Sequence, residues 1–548
     1  MPAPAIRMSS VLAAWFLALA VLSVGATREG AVAGSLDDLF VVLHEARGWA
    51  SHLGLLPQAM EADSLGRPYV EGATSPADVL VKAVCLIVAP TADPLVVSGW
   101  VCLGWLAAGA LVVAWGAAVL GAGRGRVSFV AAGWSCSLGL IEASSYRLEG
   151  SLFAVVWAGL LISAAMRRSR TSLLLAAVLC GVRPEGLVLG PAAAMWAHRG
   201  SLRLPVALLC LATSAPVLCG RLIAFGTWAP QSFVAKSSDD RLLEIQDGLG
   251  YLDAALRTPA GLALVVLSSA GAWSLWRARS NAPGERAGES ARGGLLALGA
   301  LAAALLVVSG GDGYSGARLA LPLAAPVWLA AAAPAAGASV VLRASVGLAF
   351  ALQVFMVLNP GGQWRWSGVD PIEIVRSSGK GLLAGPSGLE AFEGDEEVFK
   401  AVHAGLAGET LAHRHAQRFR WFSPETDVLD LTGLTSREVG ALPAPGRVTF
   451  GRDAISHGVD LGVGAFFLDV LRARPAPLAG ESLLLLADAN AAPRFLGPPP
   501  LEPELAARLH ELYLPASMLH PGAEGWFNLL VRRDLAAGFA SSGFLVGP

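Results

Sequence analysis

Between residues 8 and 358 the chain returns repeatedly to apolar runs close to the length that crosses a bilayer. A spanning segment needs about 20 apolar residues, and it is a helix because only a helix satisfies its own backbone polar groups in hydrocarbon. The candidate runs are 8–26, 95–119, 127–144, 149–166, 171–183, 185–198, 203–222, 259–277, 293–310, 316–334 and 338–358. Several are short, so they predict about ten or eleven transmembrane helices. Composition agrees: 54% of the residues are hydrophobic and 15% are charged, against about 45–50% and about 25% in soluble proteins.

The run 8–26 also has the form of a signal peptide, with Arg7 before an apolar core and small residues up to Ala26, but an uncleaved anchor is preferred. Counted as the first span with its N-terminus inside, it puts Arg124 and Arg126, Arg167 to Arg170, Arg199 to Arg203, and Arg277 to Arg292 on the cytoplasmic side. Every basic loop then obeys the positive-inside rule. The same count puts 27–94, 145–148, 223–258 and 311–315 outside. Segment 77–90 is apolar but carries Asp78 and Lys82, and is expected to lie as a helix at the outer interface.

Charged residues become denser after Asn359-Pro360, which marks the boundary between a membrane domain (1–359) and a C-terminal domain (360–548) outside the cytoplasm. The second domain mixes β-rich runs such as Glu481 to Leu486 with Pro- and Gly-rich turns and a helical pattern over Glu502 to Tyr513. It reads as α/β or α+β. The fold class is therefore a polytopic α-helical membrane protein with an extracytoplasmic α/β or α+β domain, in the plasma (inner) membrane. The six cysteines lie in apolar stretches with no CxxC, which supports neither a zinc finger nor a disulfide scaffold. With 40 Lys+Arg against 42 Asp+Glu, no broad basic surface exists to hold nucleic acid.

Charged residues in apolar surroundings are the informative ones. Asp37-Asp38 sit beyond the first span, where neighbouring acids in partial burial repel and one pKa rises toward the range of a general base. They also suit the cap of a helix over Val41 to Ala50. Arg47 is placed to face the same pocket as a counter-ion. Gly181-Val182-Arg183-Pro184-Glu185-Gly186 interrupts an apolar run, and such an ion pair either faces a cavity or marks a plain turn. Glu149 stands at a helix start, where the dipole also favours an acid. The stretch Phe225 to Lys236 joins the interfacial aromatics Trp228 and Phe233 to Gln231 and to Lys236, a point charge suited to a phosphate. Gly310 to Arg318 is a glycine-rich loop holding Asp312 and Arg318.

Carboxylates that take a hydroxyl proton, cations that hold a phosphate and aromatics at the interface suit one donor class, a polyprenyl-phosphate sugar. The reaction expected is inverting glycosyl transfer to a cell-envelope glycan or lipid acceptor, with the leaving phosphate stabilised by cations. No P-loop, Rossmann fingerprint or HExxH argues for a nucleotide or zinc mechanism. The sequence names no cofactor and leaves a divalent cation open.

These motifs carry a resemblance. Asp37-Asp38 with Arg47, Tyr69 to Ser75, Leu148 to Phe153, Arg183 to Gly186, Trp228 to Lys236, and Gly310-Gly311-Asp312 with Arg318 and Pro322 resemble the GT-C superfamily of polytopic glycosyltransferases. Within it the chain is most similar to the terminal β-(1→2)-arabinofuranosyltransferase-like group of actinobacterial cell-wall enzymes. Val428 to Leu434 and Gly451 to His457-Gly458 resemble that group's extracytoplasmic domain. The resemblance implies Asp37 or Asp38 as base, Lys236, Arg183 and Arg318 on the donor phosphate, and Arg47, Glu149, Glu185, Trp228, Gln231, Asp312 and His457 around the substrates. The chain departs from the group at Gln231-Ser232, Glu185 and Gly313, where Asn-Thr, Asp and a bulky apolar residue are usual; these changes bear on which sugar is moved. The competing classes are a transporter or flippase of a lipid-linked saccharide and a non-catalytic glycan-binding scaffold.

Overall fold

The computed structural model describes residues 37–52, 75–135, 137, 140, 149–198, 203–225, 241–257, 259–278, 286–309, 321–333, 339–358, 393–406, 408, 411–413, 419, 421–423, 426, 428–430, 484–487, 513–519 and 526–547. The first expected span and the sequence motifs holding Trp228, Gln231, Lys236, Asp312, Arg318 and His457 lie outside the described residues. The described part is mostly helical.

The membrane-domain helices are α1 (Asp37–His52), α2 (Pro76–Val88), α3 (Pro94–Val119), α4 (Arg124–Ser135), α5 (Gly150–Ala165), α6 (Ser169–Val182), α7 (Gly186–Ala197), α8 (Arg203–Phe225), α9 (Arg241–Arg257), α10 (Pro259–Ala278), α11 (Arg286–Val308), α12 (Leu321–Ala332) and α13 (Ser339–Leu358). Two begin with the same local chemistry. Ser75 caps α2 by accepting from the Asp78 amide at 3.2 Å, and Asp93 caps α3 by accepting from the Leu95 amide at 2.7 Å. A proline follows each cap, where its missing N–H costs nothing and its φ already suits a helix.

Helices coincide with ten of the apolar runs, with three differences. The expected span 127–144 is interrupted: α4 stops at Ser135, and Ser137 is not helical. The expected outer loop 223–258 contains α9, which meets α10 at an 89° bend. The close approach is allowed by Gly261, whose place a Cβ would fill 2.0 Å from the Ala255 carbonyl oxygen. Hydropathy missed α9 because its surface is mixed, with Leu242 and Leu249 exposed beside Asp253 and Arg257. Third, Tyr513 opens a strand instead of closing the helical pattern expected over Glu502 to Tyr513, whose other residues 502–512 lie outside the described residues.

Among the described residues, Pro94–Val119 and Ser290–Val308 are long and apolar enough to cross a bilayer, each with mean hydropathy 2.0. Shorter apolar helices, among them α5, α6, α7 and α12, pack around them. One buried cluster of apolar side chains runs from α3 through to α13. Small residues let these helices approach: a Cβ at Gly116 would stand 2.3 Å from Ile162, and one at Gly133 2.2 Å from the Trp328 ring. Trp157 donates from Nε1 to the Pro322 carbonyl at 3.0 Å and ties α5 to α12. Large apolar side chains also face outward, including Leu111, Leu174, Leu208 and Trp276. An apolar core with an apolar exterior is the arrangement of a protein solvated by lipid.

The two ends of the bundle differ in charge. At one end Arg167 donates to the Trp196 carbonyl and reaches Ser290 Oγ at 3.5 Å. There too Arg292 donates to the Ala333 carbonyl and to that of Ala330 at 3.2 Å. Arg168 lies 5.9 Å from the Trp115 ring centre at the same end. These contacts gather the C-terminal ends of α3, α5, α7 and α12 with the starts of α6 and α11. The opposite end holds the start of α5, the α6–α7 junction, and α2 with its partner α1. Asp78, Glu149 and Glu185 belong to that end, each paired with Lys82 or Arg183.

The C-terminal domain is built on a six-stranded mixed sheet. Its strands are β1 (Leu411–His413), β2 (Val428–Asp430), β3 (Leu484–Ala487), β4 (Tyr513–Leu519), β5 (Trp526–Arg532) and β6 (Leu545–Val546), in the order β2-β1-β3-β5-β4-β6. β1 is parallel to β2 and β3, and the remaining pairings are antiparallel. Helix α14 (Glu393–Leu406) buries Val398, Phe399, Val402 and Leu406, spaced to form one face, against Phe539 of α15 (Ala536–Ser541) and its neighbours. Strand β3 overlaps the β-rich run expected over Glu481 to Leu486.

Candidate functional site

The α6–α7 junction is an elbow dictated by three residues. Pro184 excludes the helical conformation at the residue before it, and Arg183 accordingly takes φ −151° and ψ 151°. The chain re-enters a helix at Gly186, where a Cβ would stand 2.2 Å from the Leu179 carbonyl oxygen. Only glycine lets α7 start so close to the end of α6.

The extended backbone turns the Arg183 side chain into the bundle end, where two carboxylates hold it. Its Nε and Nη2 donate to Glu185 Oε2 and Oε1 at 3.1 and 2.7 Å, and Nη1 donates to Glu149 Oε1 at 3.0 Å. The fork on Glu185 is the planar bidentate match that arginine alone provides. The guanidinium also lies 5.9 Å from the centre of the Phe153 ring, one turn along α5 from Glu149. Glu149 and Glu185 stand at the N-caps of α5 and α7, yet neither side chain makes a capping hydrogen bond. Their carboxylates serve the arginine instead.

Helix α2 adds a second buried pair. Lys82 Nζ donates to Asp78 Oδ2 at 2.6 Å, and both side chains are sealed from solvent, at 0 and 1% exposure. Asp78 Oδ1 is also buried and has no hydrogen-bond partner among the described residues. Burial pushes the Asp78 carboxyl above its ordinary value; Lys82 opposes that shift, and Glu149 adds to it from close by. The two pairs thus form one electrostatic neighbourhood, built where α2 packs on α6. Outward, α2 presents Leu80, Val84, Ile87 and Val88. Charges inside and apolar groups outside reverse the pattern of an amphipathic helix on a water-soluble protein.

Helix α1 completes this end and begins at Asp37, so Asp37 and Asp38 form its first turn. Its neighbour among the helices is α2. Arg47 is exposed, and its guanidinium lies 5.2 Å from the centre of the Trp421 ring in the C-terminal domain. Lys236 and Arg318, the other cations expected on the donor phosphate, lie outside the described residues, as do Trp228, Gln231, Asp312 and His457.

The structure brings Glu149, Arg183 and Glu185 together, which their positions in the sequence did not require. It also adds Asp78 and Lys82, read from sequence as features of an interfacial helix, and buries Glu45 on α1. The signal for the first two was their spacing of four residues inside an apolar helix, which pairs opposite charges on one face. Among the described residues no group of three or more His, Cys, Asp or Glu side chains could hold a metal ion. In comparisons with known proteins, the chain matches no family model, no curated protein and no solved structure.

Proposed function

We propose that the protein is a polytopic membrane glycosyltransferase that moves a sugar from a polyprenyl-phosphate donor to a cell-envelope glycan or lipid acceptor on the outer face of the plasma membrane, with inversion. The reading is supported by the resemblance of its motifs to GT-C enzymes of the arabinofuranosyltransferase-like group. The observation that carries it is the cluster of Glu149, Arg183, Glu185, Asp78 and Lys82, gathered at one end of an apolar bundle with Asp78 and Lys82 fully buried. Ionisable groups in such surroundings are expensive and are retained where a ligand or proton must be handled. The positive-inside preference makes the arginine-rich end cytoplasmic, so the acidic end and the C-terminal domain are external.

In this mechanism Asp37 or Asp38 takes the proton of the acceptor hydroxyl while its oxygen bonds to the anomeric carbon on the face opposite the donor phosphate, and the bond from that carbon to the phosphate oxygen breaks. Arg183 donates to both Glu149 and Glu185, so it acts as the clamp that orients the two carboxylates. The departing phosphate is left to Lys236 and Arg318, whose charges stabilise the leaving group. The full-length protein in lipid nanodiscs, given a polyprenyl-phosphate sugar and an envelope glycan, is expected to release polyprenyl phosphate. Movement of the intact donor across the bilayer without release would make it a transporter, and neither release nor movement would leave a glycan-binding scaffold.

A further inference from the structure

The C-terminal domain does more than cap the bundle. Trp421 and Phe422 both reach α1, with ring centres 5.7 Å from that of Phe40 in each case. Phe40 stands only three residues after Asp37. The same Trp421 ring is covered by the Arg47 guanidinium at 5.2 Å. Phe40 and Arg47 are seven residues apart, two helical turns, so one indole is met by side chains that leave α1 about 10 Å apart along its axis. Contact at two points along a helix fixes its rotation as well as its position.

The other side of this contact is anchored in the domain. Phe399 of α14 lies against Phe419, with ring centres 4.3 Å apart, and against Phe422, at 6.2 Å. Ser423 Oγ and Thr426 Oγ1 are hydrogen-bonded at 2.7 Å, and Thr426 Oγ1 reaches His403 Nδ1 of α14 at 2.8 Å. Ser423, Thr426 and Phe419 are buried. The Trp421 segment is therefore pinned to α14 by ring contacts above and a hydrogen-bond chain below. Phe422 belongs to the edges of both apolar clusters, the one around α1 and the one around α14.

We infer that Trp421 is a positioning residue, through which the C-terminal domain sets the orientation of α1 and so of Asp37 and Asp38 at its first turn. The inference rests on the proposal that this pair supplies the base. A carboxylate about 6 Å from a helix axis moves about 2 Å when the helix rotates by about 20°, and a misplacement of 1 Å can cost about 10²-fold in rate.

The test uses the full-length protein in nanodiscs and reads two quantities: transfer kinetics, and hydrogen exchange over residues 39–47. Trp421→Ala is expected to lower kcat by at least about 10-fold with donor KM within about 3-fold, because donor contacts persist while the base is displaced. Exchange in α1 should rise while that of α3 and α5 stays at the wild-type level. Trp421→Phe, which keeps a ring beside Phe40, should recover most of the rate. Where Trp421→Ala does not fold, Trp421→Leu, which keeps apolar bulk without a ring, is judged by the same criteria. Unchanged kcat, or faster exchange with unchanged kcat, overturns the inference. A wild-type protein that transfers no sugar refutes the proposed function instead; exchange then decides whether the domain orders α1, with faster exchange in the variant supporting that coupling and unchanged exchange overturning it.

Discussion

Lys82 and Asp78 face each other one helical turn apart, 2.6 Å from nitrogen to oxygen, on the inward side of a helix whose outward side is Leu80, Val84 and Ile87. A buried pair of this kind is costly to break and inexpensive to replace as a whole, because removing one partner leaves an uncompensated charge. Lys82→Met is therefore expected to destabilise the protein by about 3–5 kcal/mol, while Asp78→Leu with Lys82→Met should return stability to the wild-type level or above it. Thermal unfolding in detergent measures both. If the double variant is stable and inactive, the pair serves the chemistry; if it is stable and active, neither the fold nor the chemistry needs the pair.

Arg183 holds three hydrogen bonds to two carboxylates at the elbow between α6 and α7. Lysine keeps the charge but cannot reproduce the fork, so Arg183→Lys should cost about 1.5–3 kcal/mol, the value of a hydrogen bond to a charged group. Gly186→Ala should fail in a different way. Its Cβ meets the Leu179 backbone oxygen at 2.2 Å, which must push α7 away from α6 even though the charges are intact. Equal unfolding temperatures for wild type and Gly186→Ala would contradict the elbow.

The base is assigned by its chemistry. Asp37→Asn or Asp38→Asn keeps shape and removes proton acceptance, so one of them should lose about 10²–10⁴-fold in transfer rate with donor binding retained. The other should alter stability or affinity. Near-normal rates in both variants would remove the pair from the mechanism and pass the role to Glu149 or Asp312.

The proposed orientation puts the arginine-rich end in the cytoplasm. A reporter active only outside the cytoplasm should work when fused after Pro360 and stay silent when fused within Ser280 to Ser290. The reverse result would put Asp37 and Asp38 on the cytoplasmic side and end the case for a polyprenyl-phosphate donor at the outer face.

Most helices were legible in the sequence because a helix in hydrocarbon must satisfy its hydrogen bonds locally, so each apolar run announces its own segment. The starts of α2 and α3 were legible from hydropathy, at 77 and 95, one residue inside Pro76 and Pro94. So was the break at Pro184. The helix α9 was not, because a helix with a mixed surface resembles a polar loop in composition.

The grouping of charges could only be decided in three dimensions. An aspartate and a lysine four residues apart pair equally well on an outward face or an inward one, and packing of α2 on α6 chose the inward one. Glu149 and Glu185, each acceptable alone as an acid at a helix start, became partners of one arginine because α5 and α7 meet at the same elbow. Trp421 is nearly four hundred residues from Phe40, and no local pattern relates them. Hydropathy and capping act within a turn or two of the chain, whereas the encounter of these side chains depends on how whole elements stack; the sequence alone therefore determined where the helices run, and tertiary packing decided which of their charges meet.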